Sequence, residues 1–153
     1  MAESEFVYVT FIRTTTEKLW RALIEPEFTR QFWMDTMQES TWEPGSSWRI
    51  IKPDGSTADS GEVVEIEPER RLVLKWQNHM FPEMTAEGFS LLIYTLEQKG
   101  DSVKLTVIQQ IERRGSKLIK AVSGGWPMIL SSLKTLLETG ESLPETRQWP
   151  AEL

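Results

Sequence analysis

Residues 124–140, GGWPMILSSLKTLLETG, decide the fold. Trp126, Ile129, Leu130, Leu133, Leu136 and Leu137 recur at three- and four-residue spacing, so one face of a helix carries them all. Gly140 stands where a helix stop needs positive φ. Residues 117–122 continue the period upstream through Leu118, Ile119 and Val122. Between the two halves, Gly124 and Gly125 weaken a helix and Pro127 removes a donor. The pattern therefore predicts a kink over residues 123–126, or two helices meeting there. The glycine pair also suggests close approach of backbone to the sheet, or room in a cavity between sheet and helix.

The segments before this helix read as strands. Residues 5–13, EFVYVTFIR, are rich in β-branched and aromatic residues. Phe6, Tyr8 and Ile12 lie on one face and Val7, Val9 and Phe11 on the other, a pattern expected of a strand covered on both sides. Thr14 with Glu17 matches a capping box and opens a short helix carrying Leu19, Trp20 and Leu23. Glu25-Pro26 breaks it, and a second short helix follows over residues 26–32. Strands are then expected at residues 36–42, 47–52, 60–67, 71–77, 88–98 and 102–112. The turn signals Pro44-Gly45, Pro53-Asp54-Gly55 and Lys99-Gly100-Asp101 separate several of them. Residues 78–87 read as a longer loop holding Met80, Phe81 and Met84. One strand, two short helices, six antiparallel strands and one long helix make an α+β chain with a meander.

The 153 residues fit a single domain, with a core over residues 5–140 and a polar tail over 141–153 in which Trp149 is expected to dock. A net charge of −6 argues against nucleic acid or an anionic membrane as partner. The absence of cysteine excludes disulfides and thiolate chemistry. No basic segment followed by an apolar run opens the chain, and no apolar stretch is long enough to span a bilayer, so the cytoplasm is the expected location.

Several patterns in this order resemble one family. They are TFIRTTTEKLWRALIEPE (10–27), Phe32-Trp33, WEPGSSW (42–48), GEVVEIEPERRLVLKW (61–76), the hairpin of residues 91–107, and GWPMILSSLKTLLETG. Together they look like bacterial relatives of the C-terminal domain of the Hsp90 ATPase activator, within the START-like (SRPBCC, Bet v 1-like) superfamily. The resemblance implies a helix-grip fold: a curved antiparallel sheet of six or seven strands around a long C-terminal helix, with an apolar cavity between. It implies binding of a small hydrophobic molecule without catalysis. The alternatives are a chaperone-associated interaction protein, with Trp149 and residues 80–84 as docking candidates, and a cyclase or aromatase using Gln109, His79, Tyr94 and Glu87. Many relatives carry a His near the end of the last strand, where this chain has Gln109-Gln110.

On that resemblance the cavity is expected to be lined by Trp33, Trp48, Trp76, Met80, Phe81, Met84, Tyr94, Gln109, Val122, Trp126, Ile129, Leu130 and Leu133, with Met34 and Met37 near its mouth. A cavity of several hundred cubic ångströms is expected. No cofactor, metal or catalytic set is expected, and the chain is read as a monomer or weak homodimer. The single histidine, His79, reads as an exposed loop residue. Glu62, Glu65, Glu67 and Glu69 read as a solvated strand face. Residues 54–59, DGSTAD, lack calcium-loop spacing and read as a hairpin loop.

Overall fold

The computed structural model describes residues 3–150. Seven strands, β1 (Ser4–Ile12), β2 (Met37–Ser40), β3 (Ser47–Ile51), β4 (Thr57–Glu67), β5 (Arg71–Asn78), β6 (Ser90–Lys99) and β7 (Ser102–Ile111), form one antiparallel sheet in the order β1-β7-β6-β5-β4-β3-β2. Helices α1 (Thr16–Ile24) and α2 (Pro26–Phe32) follow β1, α3 (Pro82–Thr85) is a single turn after β5, and α4 (Lys117–Thr139) follows β7. This is the expected α+β, helix-grip arrangement. Among the described residues, no helix is long and apolar enough to cross a membrane.

The sheet has one inner face. Along β7, Val103, Leu105, Val107, Gln109 and Ile111 are buried while their neighbours are partly exposed, the period of two that a half-covered sheet requires. Register carries that phase across the sheet: Val107 lies beside both Tyr8 and Tyr94, and Gln109 beside Phe6 and Leu92. The apolar face of α4 packs against β1 and β7, and α1, α2 and α3 close around it. Burial of Trp126, Ile129, Leu130, Leu133 and Leu136 joins α4 to the core.

Four expectations change. Residues 123–126 are not a junction of two helices: α4 runs unbroken from Lys117 to Thr139 with Pro127 inside it. The missing donor costs one hydrogen bond, and buried side chains before and after it hold both halves to the same core. Gly124 and Gly125 do not mark close packing either, since a Cβ at each would meet open space. The first strand is not covered on both faces: Val7, Val9 and Phe11 are each about half exposed, because no layer packs on the outer side. The cap of α1 is Thr15, accepting from the Lys18 N–H at 3.2 Å, not Thr14. The Thr14 carbonyl instead accepts from Gln98 Nε2.

Both ends of α4 are fixed. Ser116 caps it, its Oγ accepting from the Ile119 N–H at 3.1 Å, and Gly140 ends it at φ 89°. Near the end, Lys134 Nζ donates to the Phe11 carbonyl at 2.6 Å and Glu138 accepts from the Arg13 N–H at 2.8 Å, tying the helix to the free edge of β1. The tail is less detached than its composition predicts. Ser142 and Thr146 are buried, the Ser132 and Thr146 hydroxyls are 2.6 Å apart, and Trp149 packs on the core with Lys52 over its ring.

Gly61 lies opposite Trp76 in the β4–β5 pair, and a Cβ there would fall 1.7 Å from the Lys75 carbonyl oxygen. Gly61→Ala is therefore expected to destabilise the chain by about 3 kcal/mol, through displacement of β4 against β5, as read by urea unfolding.

Candidate functional site

The sheet's inward positions and one face of α4 leave a space unfilled. A cavity of about 200 Å³ lies between β4, β5, the α2–β2 connection and the first half of α4. From the sheet come Asp59 and Trp76. From the segment after β5 come Asn78, Met80, Phe81 and Met84, and from the end of α2 come Trp33 and Met34. Helix α4 supplies Leu118, Ala121, Val122, Gly125, Trp126 and Ile129, spaced three or four apart as a single helical face requires.

Aromatic packing sets the cavity floor. The rings of Trp33, Trp76 and Trp126 lie 5.2–5.9 Å apart pairwise. Trp48 backs Trp76 at 4.9 Å, and Tyr94 meets Trp126 edge-on at 6.1 Å. Each of three buried indoles has a side-chain acceptor. Trp48 Nε1 donates to Gln38 Oε1 at 2.9 Å, Trp126 Nε1 to Gln109 Oε1 at 2.9 Å, and Trp76 Nε1 to Asp59 Oδ1 at 2.8 Å.

The mouth is built by side chains bonding to backbone. Asn78 Nδ2 donates to Asp59 Oδ1 at 3.0 Å, while its own Oδ1 accepts from the N–H groups of Met80 and Phe81. Thr85 Oγ1 donates to the Asn78 carbonyl at 2.7 Å, closing the turn on α3. Opposite, Met34 and Asp35 adopt left-handed backbone, φ 53° and 57°. The Met34 N–H donates to the Thr146 carbonyl at 2.7 Å, so the docked tail holds this rim.

Among the described residues, Asp59 is the only charged or titratable one in the lining. Its side chain is buried, and that burial pushes its carboxyl up to about 6, against the bonds from Trp76 and Asn78 that favour the charged form. The Tyr94 phenol is displaced upward by complete burial, and its hydroxyl has no partner among the described residues.

Residues 13–138 match the family model described as Activator of Hsp90 ATPase homolog 1-like protein. The chain belongs to this AHSA1 family. Protein MLL2253 from Mesorhizobium loti is 25% identical with a TM-score of 0.74, over 88% of this chain and 97% of that one. The Aha1 dimer from Colwellia psychrerythraea is 16% identical with a TM-score of 0.73, over 91% and 99%. DynU16, from the dynemicin biosynthetic locus, is 22% identical with a TM-score of 0.76, over 95% of this chain and 51% of that one. The last two likenesses bear on fold alone. No curated protein matches the sequence.

Within this AHSA1 fold, Trp33, Trp76, Met80, Phe81, Met84, Val122, Trp126 and Ile129 line the cavity. Trp48, Tyr94, Gln109, Leu130 and Leu133 do not: they lie one layer behind, packed into the core. Met37 sits on β2, its sulfur near Arg30. Asp59, Asn78, Leu118 and Ala121 complete the lining and were not anticipated, and Gly125 lines it too, giving the room that was one of the two readings of the glycine pair. Asp59 escapes the sequence because residues 54–59 read as a loop, whereas β4 starts at Thr57. The usable signal is the inward phase Asp59, Gly61, Val63 against Trp76.

The residues weighed for acid–base work stand apart from the cavity. His79 is exposed, with Nε2 2.5 Å from Ser60 Oγ. Glu87 serves the N-terminus of α4. Burial pushes its carboxyl up, but bonds from Ser116 Oγ and the Lys117 and Leu118 N–H groups, with Arg113 nearby, outweigh burial and leave it below its ordinary value. Glu65 pairs with Arg71 on the solvated side, and no acidic or histidine group among the described residues could hold a metal.

Asp59 makes stability depend on pH. The folded chain holds its proton more tightly than the unfolded chain, so stability falls as pH rises from about 4 through about 6. Asp59→Asn, which keeps an acceptor for Trp76 and Asn78, is expected to raise unfolding free energy by about 2 kcal/mol at pH 7. Urea titrations should show most of that gain gone at pH 4.

Proposed function

We propose that this AHSA1-family chain binds a small, largely apolar molecule in the cavity between the sheet and α4. The observation that carries this reading is the unfilled space itself. The space opens to solvent past Ala121 and Gly125, and three tryptophans and a methionine-rich turn wall its inner end, leaving an apolar surface uncovered that larger residues at those two positions would fill. Methionines adapt their shape to a guest. At about 200 Å³ the cavity is smaller than the expected several hundred, which limits the enclosed part of a ligand to one ring with a short chain. Three of the seven tryptophans line it, so occupancy should change intrinsic fluorescence. A panel of single-ring hydrocarbons and alcohols is expected to raise Tm and shift tryptophan emission. Gly125→Leu, which puts a side chain into the mouth, is expected to abolish both responses while the chain stays folded. Unchanged responses in that variant would refute the reading.

A second reading, association with a chaperone or with another copy, draws support from the exposed stripe Val7, Val9 and Phe11 on the sheet's outer face. The other docking candidates lose ground, since Trp149 packs on the core and Met80, Phe81 and Met84 face the cavity. Val7→Thr with Val9→Thr should weaken capture by the host Hsp90-type chaperone, or self-association in sedimentation, by about tenfold if this stripe is the contact.

A further inference from the structure

The cavity supplies a shape, and Asp59 supplies a chemistry. The indole donors of Trp48, Trp76 and Trp126 are met in two ways. Gln38 accepts from Trp48 and passes its amide N–H to the Leu23 carbonyl, and Gln109 accepts from Trp126 and donates to Ser90 Oγ at 3.0 Å. Both ends of each amide are used. At Trp76 the acceptor is a carboxylate, and only half of it is used: Oδ1 takes both Trp76 Nε1 and Asn78 Nδ2. No described residue donates to Oδ2.

That oxygen is not sealed away. Among the described residues, the Tyr94 hydroxyl is the one side-chain polar atom both shut off from solvent and without a partner. Asp59 keeps 6 % of its surface exposed and lines the cavity, so the cavity is the space from which a guest would meet its free oxygen. Meeting Trp76 and Asn78 requires only a neutral oxygen. A charge at this depth destabilises the fold, and an amide would do the structural work without that cost.

We propose that the cavity binds a protonated primary amine on a one-ring apolar body, with the ammonium on Asp59 Oδ2 and the ring among Trp33, Trp76 and Trp126. This rests on the cavity being a binding site for small apolar molecules, and it names their class. Aromatic faces beside the carboxylate attract a cation further. Among the described residues, no other charged group lines the cavity, and Ile50 lies beside Asp59 on β3. The polar neighbour from β5 is Trp76 with Asn78, and Trp33, Met34, Met80, Phe81 and Met84 close other sides. Leu118, Val122, Trp126 and Ile129 cover it from α4, and none of these titrates. His79 is exposed on Ser60, and Lys117 and Lys120 flank a groove outside the mouth, in solvent where salt screens them. An apolar cavity of about 150 Å³ admits benzene, so this one has room for a ring and a two-carbon arm.

The test titrates the full chain with 2-phenylethylamine and with propylbenzene, its isosteric hydrocarbon, at about pH 7.5, following tryptophan emission. The amine is expected to bind about tenfold tighter or more, as a buried charge-assisted contact should. The ratio should fall to within about twofold in Asp59→Asn, and in the unaltered chain below about pH 5, where Asp59 is protonated. The pH arm reads the same contact without any substitution. Equal affinities, or a preference that persists in Asp59→Asn, overturn the amine assignment and leave the cavity reading standing. No binding of either compound at millimolar concentration overturns both.

Discussion

A buried indole N–H must find an acceptor, and this chain takes three of them into one core. Trp48, Trp76 and Trp126 sit on β3, β5 and α4, so their acceptors have to arrive from different elements in register. Gln38 comes from β2, Asp59 from β4 and Gln109 from β7. Strand order and register follow from meeting all three at once. A slip of one residue in β7 would turn Gln109 outward and leave the Trp126 N–H unpaired, at a cost of about 1–3 kcal/mol in addition to the lost apolar packing. The same requirement places Trp126 on the sheet side of α4, which sets the helix's rotation.

Apolar burial and polar matching thus cooperate over most of the interior and diverge at the unpartnered Tyr94 hydroxyl and, more broadly, around Asp59. Around Asp59 the chain keeps a void, a half-used carboxylate and a rim with two consecutive left-handed residues. Each departs from what stability alone would select, and they lie on one cavity. Clustering of local costs is the pattern expected where a fold gives up stability for a binding surface.

The helix-grip architecture is readable because long periodic segments announce themselves. The three- and four-residue spacing of 126–137 and the alternation of 103–107 each fix an element and its inward face. Trp126, Trp76 and Met84 are legible as wall residues because inward phase is implied once the elements are known. Depth is not legible: Tyr94 and Gln109 share the inward phase but lie a layer behind the wall, since Trp126 stands between Gln109 and the space. Asp59 is hidden for a different reason. An Asp beside Ser, Thr and Gly has loop composition, and only its partner Trp76, seventeen residues on, shows why a strand carries it inward. The unbroken course of α4 through Pro127 is likewise a tertiary outcome, because packing on both sides outweighs a single missing donor.

The outermost strand carries one more constraint. Lys134 and Glu138 occupy the outward carbonyl of Phe11 and N–H of Arg13, so backbone groups at that end of β1 already have partners. An incoming strand would have to displace both, which guards the sheet against indefinite lateral growth. Any lasting contact made through Val7, Val9 and Phe11 is consequently a stacking of layers about 10 Å apart, not a continuation of the ladder at about 4.8 Å. An isologous contact of that kind closes on itself as a discrete pair rather than propagating into a filament.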